Sequence, residues 1–370
     1  MLLGGDPICS GTGPDWADYS ETSGVRFKPI AITLFATMIV AGSARAFHDG
    51  GAATCSGCHV VHNSIDGKPV TPGPGNNYLL LAENSSDVCL SCHAREAGSV
   101  LGLNPLLPPA EKGGGNFVFL TEENLNDAES GRFDQIPGAA AGHSVVAPAY
   151  GLVADFRYAF SPGGNFPARE LGCTSCHDPH GRGAFRMLYG VGEVQGGIHS
   201  FSAPAPDAVG IGLRNDAESR TSHTAYRAGM SRWCGNCHGR YHDRDRAEFQ
   251  HPSDRALGFD ERQQYSAYEG DDNPLGGTAA TASIPEVPIE DATNAVGSTA
   301  GPSAAGRVMC LTCHRAHASS APAAGRWDFN VARLEDDGLE SGSWPLANPY
   351  GPNQGTLCRK CHRSVPSEGS

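Results

Sequence analysis

The sequence predicts a mostly irregular chain with short α-helices and few or no strands, held together by something other than an aliphatic core. Three observations predict it. Gly (48) and Pro (26) make up one fifth of the 370 residues, and only 39% of residues are hydrophobic. A chain of this length ordinarily buries a large apolar core, and this one is short of the side chains to build it. Finally, twelve of the thirteen cysteines fall in six identical Cys-x-x-Cys-His frames spread from residue 55 to residue 362.

The frames are Cys55-Ser-Gly-Cys58-His59, Cys89-Leu-Ser-Cys92-His93, Cys173-Thr-Ser-Cys176-His177, Cys234-Gly-Asn-Cys237-His238, Cys310-Leu-Thr-Cys313-His314 and Cys358-Arg-Lys-Cys361-His362. Zinc sites, redox dithiols and disulfide frameworks all use paired cysteines, but none requires His directly after the second Cys every time. Covalent c-type haem attachment does. The two thiols become thioethers on one porphyrin edge, and the next residue brings its imidazole to the iron. Six haems, large and mostly apolar, then supply the buried surface that the side chains lack. The proximal iron ligands are His59, His93, His177, His238, His314 and His362.

Nine other histidines are available for the opposite faces of six irons. Met is scarce, with only Met187, Met230 and Met309 beyond residue 46, so bis-histidine ligation is expected throughout. His62, His180 and His317 each lie three residues after a proximal His. Positions three apart on a helical turn are only about 5–6 Å from one another, too close to grip one ring from both faces. Each must therefore reach a different haem, which places porphyrins close together in a chain. The same geometry bars His242 from the haem of His238. His143 and His251 stand on loops away from any Cys pair, and His48 would lie at the start of the exported chain. These seven, His48, His62, His143, His180, His242, His251 and His317, compete for six places. His199 and His223 have neither spacing nor context to recommend them. Saturated irons with two nitrogen donors favour electron transfer over chemistry on a substrate.

Arg26 and Lys28 precede an apolar run at residues 30–41, and Ser43-Ala44-Arg45-Ala46 gives a small-x-small cleavage site. This reads as a secretion signal removed before Phe47. The run is too short to span a bilayer, which takes about 20 residues, so no membrane span is expected in the mature form. The acidic residues ahead of it (Asp6, Asp15, Asp18, Glu21) suit no signal, and the reading frame is expected to start near Val25, making residues 1–24 a mis-assigned extension. Residues 47–370 then form a single domain, since haem frames recur throughout. Residues 276–305 read as an exposed loop, and short helices are expected around the Cys pairs and over 253–269. The net charge is −13, which excludes a nucleic-acid partner and suits cationic partners or a mineral surface.

The stretch Phe47-His48-Asp49-Gly50-Gly51 leading to Cys55, Cys58, His59, His62, Asn63 and Ser64 resembles the mature N-terminus of the OmcS family, the six-haem extracellular cytochrome nanowires of metal-reducing bacteria. The resemblance recurs at CTSCHDPHG (residues 173–181), AYRAGMSRWCGNCH (225–238), CLTCHRAHAS (310–319) and 357–362, in order along the whole chain. It implies six bis-histidine haems in one stack of alternating parallel and T-shaped contacts. It also implies a head-to-tail homopolymer in which His62 ligates the fifth haem, that of Cys310 to His314, in the neighbouring subunit. The loops at 189–216 and 274–305 depart from the family pattern, and they bear on polymerisation. The function implied is extracellular electron transfer without enzymatic chemistry, after export through the periplasm. Electrons would come from donor cytochromes and pass to external acceptors such as metal oxides. The alternatives are a soluble periplasmic or extracellular shuttle and a multihaem reductase.

Overall fold

The computed structural model describes residues 55–363, apart from 97, 105–111, 122–124, 130–131, 137, 182, 195, 213–216, 243–252, 328, 330–347 and 351–354. The expected signal, the alternative start, His48 and His251 lie outside the described residues. Regular structure concentrates at the Cys-x-x-Cys-His frames, because each must wind into a turn to present two thiols and an imidazole to one ligand.

The second frame lies on α1, Ser85–His93, opened by Asn84, whose side chain accepts the Asp87 N–H at 2.9 Å. The fourth begins at the end of α2, Met230–Cys234, and runs into α3, Gly239–His242. A longer helix, α4, covers Phe259–Ala267 within the expected 253–269 span, and Asp260 and Glu261 sit favourably in its first turn. The fifth and sixth frames carry α5, Cys310–Cys313, and α6, Gly355–Cys358. The first and third adopt single 3-10 turns, Cys55–Gly57 and Cys173–Ser175.

Strands among the described residues occur only as two-stranded ladders. The longest joins Leu125–Glu129 to Arg132–Ile136, and the others are two to four residues long. None extends into a larger sheet, so ladders this small serve as loop staples. The apolar side chains form three separate clusters. One joins Leu90, Leu101, Phe117, Val118 and Phe119 to Ala318. The second gathers Tyr265, Ile284, Val287, Ile289, Trp327 and Leu357, and the third Tyr226, Met230, Met309 and Leu311. The second cluster corrects the expectation of an exposed loop at 276–305. Its middle is buried because Ile284, Val287 and Ile289 cover α4 and α6.

Candidate haem sites

A repeated backbone device holds the odd-numbered frames. After the first, third and fifth frames the chain returns through a turn with two consecutive non-glycine residues at positive φ: Tyr78 and Leu79, Arg186 and Met187, Ala323 and Ala324. The carbonyl of the first residue of each pair accepts from Nδ1 of the proximal histidine. The distances are His59 to Tyr78 2.9 Å, His177 to Arg186 2.7 Å and His314 to Ala323 3.0 Å. The carbonyl of the second accepts from the residue after that histidine, Val60, Asp178 or Arg315, at 2.7, 2.8 and 2.6 Å. The second-Cys carbonyl, of Cys58, Cys176 or Cys313, then accepts from Leu81, Tyr189 or Arg326 at 3.0, 3.0 and 2.7 Å. Positive φ costs a residue with a side chain about 1–2 kcal/mol, so this strain is held by its surroundings. The result is an imidazole whose Nδ1–H is committed to the backbone and whose Nε2 is free, as metal-bound histidines require. His238 of the fourth frame reaches the same state by donating to the Pro162 carbonyl at 2.7 Å.

The distal candidates separate clearly. His180 stacks opposite His59 with ring centres 6.1 Å apart and planes 18° from parallel. His317 faces His177 at 6.4 Å, and His143 faces His238 at 5.9 Å. Two imidazoles on one iron, each bonded at about 2 Å, have ring centres roughly 6 Å apart. All three pairs fit. Nδ1 of His143 is also anchored, on the Ala316 carbonyl at 2.7 Å. Desolvation pushes His317 down to about 3 and His143 to about 4, so both are neutral at pH 7, the state in which imidazole ligates a metal. Desolvation likewise lowers His177, His238 and His314.

His62 is exposed, in a cleft of about 520 Å³ lined by Val60, Val61, Asn63, Pro74 and Leu79. Among the described residues His314 faces no second imidazole; its ring meets Phe329 edge-on. His242 closes α3, and its side chain is not among those described. His199 and His223 are occupied otherwise. Nε2 of His199 contacts the Asn236 carbonyl at 2.7 Å, and both nitrogens of His223 meet carbonyls, of Thr224 and Ser298.

The thiols follow one another in sequence order. Cys58 lies within electrostatic reach of Cys89, and the Cys89 and Cys173 thiols are neighbours. Cys176 lies within electrostatic reach of Cys237, the Cys234 and Cys310 thiols are neighbours, and Cys313 lies within electrostatic reach of Cys358 and Cys361. Eleven of the twelve frame cysteines are free thiols.

These features fit covalent haem. Among the described residues no cluster of three or more His, Cys, Asp or Glu could hold an ion. A zinc site needs four protein donors, whereas a porphyrin supplies four of its own and asks the protein for two. Apolar side chains beside the frames also stand open where a flat apolar ligand would cover them, among them Val61 (70% exposed), Tyr78 (68%) and Phe160 (55%).

A loop-built chain with six such frames and imidazole pairs at iron-spanning distance defines the class: a multihaem c-type cytochrome. Within that class it is similar to OmcS. No protein-family model matches the chain. It is 29% identical to the C-type cytochrome OmcS of Geobacter sulfurreducens, over 90% of this chain and 98% of that protein. The cryo-EM structure of OmcS nanowires from the same organism superposes with a TM-score of 0.73 at 26% identity. That match covers 86% of this chain and all of that one. A second OmcS filament structure gives 0.72 at 25% identity, with the same coverage. No helix among the described residues is long and apolar enough to cross a membrane.

Proposed function

We propose that this protein carries electrons outside the cell as a filament of head-to-tail protomers, each holding six bis-histidine c-type haems in sequence order. One observation carries the reading: the imidazole pairs obey a register. The histidine after the third frame, His180, meets the proximal ligand of the first, and the histidine after the fifth, His317, meets that of the third. By the same step of two frames, the histidine after the first frame, His62, belongs to a fifth frame that its own chain cannot supply. His314 is the proximal ligand there, with no second imidazole among the described residues. A neighbouring copy satisfies both at once. His62 is exposed in a surface cleft lined by both polar and apolar residues, open to a neighbouring copy.

Within one protomer the reading assigns His180 to the first haem, His317 to the third and His143 to the fourth. His48 precedes the first frame as His143 precedes the third, so it serves the second haem. His251 takes the corresponding place for the sixth, leaving His242 as the spare. The bound haems supply the redox couple. The chain anchors the imidazoles of His59, His143, His177, His238 and His314 on backbone carbonyls. It disfavours protonation of His143, His177, His238, His314 and His317 by burial, and holds successive thioether sites side by side, so that little reorganises when charge moves. We assign residues 1–46 to the extension and cleaved export signal and residues 47–370 to one hexahaem domain. Donor cytochromes would reduce the filament, and mineral acceptors suit its acidic surface only through bound or lattice cations.

The test is the spin state of iron as a function of assembly. Dilute wild-type protomers should show one high-spin haem in six, which becomes low-spin as filaments form. The variant His62→Ala should keep six covalent haems, retain the high-spin signal at every concentration and form no filaments in negative-stain images. Six low-spin haems in a strictly monomeric protein would instead establish a soluble shuttle.

A further inference from the structure

The chain contains the filament junction in miniature, twice. Where the second frame meets the third, Ser86, three residues before Cys89, accepts a hydrogen bond from the Cys173 N–H at 3.1 Å. Where the fourth meets the fifth, Ser231, three residues before Cys234, accepts from the Cys310 N–H, also at 3.1 Å. Both serines are buried, at 2% and 1% exposure. The same frames set neighbouring thiols side by side, Cys89 by Cys173 and Cys234 by Cys310. The odd frame at each junction is also capped by a hydroxyl two residues after its first cysteine. Ser175 accepts the Gly172 N–H at 3.0 Å and donates to the Glu170 carbonyl at 3.1 Å. Thr312 accepts the Met309 N–H at 3.1 Å and donates to the Pro288 carbonyl at 2.7 Å.

The chain is thus three tandem dihaem units, each an odd frame followed by an even one, joined by a hydroxyl latch. The outer faces break the pattern. Three residues before Cys358 stands Gly355, and two residues after Cys55 stands Gly57. Cys55 is exposed, and a side chain at position 57 would meet nothing within 4 Å.

We infer that the boundary between protomers is a third copy of the internal junction, closed by a second copy of this chain and built without the latch. This rests on the filament reading above. Residue 355 of one protomer occupies the place of Ser86 and Ser231, and the Cys55 N–H of the next occupies that of Cys173 and Cys310. Glycine there leaves that N–H without its side-chain acceptor and makes the joint weaker than the two internal ones. Internal junctions stay closed for the life of the chain, whereas the outer one forms only after export and remains reversible.

Restoring the hydroxyl tests this. Gly355→Ser is compared with Gly355→Ala, which also adds a Cβ but no oxygen, and whose higher helix propensity works against the expected difference. With all six haems bound, Gly355→Ser should lower the concentration at which half the protein is filamentous roughly threefold to tenfold relative to Gly355→Ala, as one added hydrogen bond allows. Equal critical concentrations for the two variants would overturn the inference. The reciprocal variant Ser231→Gly needs no assembly. It should speed exchange of the Cys310 amide severalfold in the monomer, and unchanged exchange there would remove the latch from the internal junction too. If the wild type forms no filaments at any concentration, the filament reading fails first and takes this boundary with it. Wild-type filaments indifferent to the residue-355 hydroxyl refute the latch alone.

Discussion

Replacing His317 by Ala isolates one haem. Its ring lies 6.4 Å from His177 across the space of the third iron and stacks on Phe117 at 4.5 Å. Its backbone is held independently of the ring: the His317 N–H donates to the Gly114 carbonyl at 2.7 Å, and its carbonyl accepts the His143 N–H at 2.9 Å. The substitution therefore removes a ligand without releasing the loop. The lost aromatic contact costs about 0.5–1.5 kcal/mol and the cavity raises the total to about 2–4 kcal/mol, which a chain with covalently attached haems should survive. A second iron of six loses an axial nitrogen, so the high-spin share of ferric haem should rise from about one sixth in the wild-type monomer to about one third. Low-temperature electron paramagnetic resonance on the monomer measures that fraction, and added imidazole should reverse it. His223→Ala, at a ring bonded only to carbonyls, should change nothing. A high-spin share in monomeric His317→Ala no greater than in the wild-type monomer, with haem content intact, would falsify the pairing and the register on which the His62 assignment rests.

Three further outcomes follow from the same geometry. Asn116 is 2% exposed, accepts the Gly102 and Val118 N–H groups at 3.0 Å each and donates to the Gly98 carbonyl at 2.9 Å. Asn116→Ala orphans three buried groups and should cost about 3 kcal/mol in thermal or denaturant unfolding, with haem stoichiometry unchanged. Arg326 is buried beside the fifth frame and bonded to the Leu311 and Pro285 carbonyls at 2.7 and 3.0 Å, with Nη2 unpartnered. Arg326→Gln removes a positive charge that favours the reduced haem, so film voltammetry should show one couple shifted downward by on the order of 50 mV, for a charge about 10 Å away at an effective dielectric of about 20. Ala323 is exposed at φ 55°, and Ala323→Gly should raise stability by about 0.5 kcal/mol by relieving strain while leaving the haem spectra unchanged.

The sequence by itself determined the chemistry. A thiol pair followed at once by imidazole is a local constraint, readable wherever it stands, and six copies exclude zinc and disulfide readings without any fold. The same local reasoning showed that His62, His180 and His317 cannot serve the haems beside them. Which imidazole His180 and His317 lie against is visible only in the tertiary structure, because ring pairs such as His143 with His238 join residues 95 positions apart through loops with no periodic signal. It likewise decided that residues 282–289 are interior, that paired left-handed residues such as Arg186 and Met187 fix the proximal rings, and that Ser86 and Ser231 are equivalent. These depend on long-range contacts between irregular segments, where neither helical nor strand periodicity marks which residues meet.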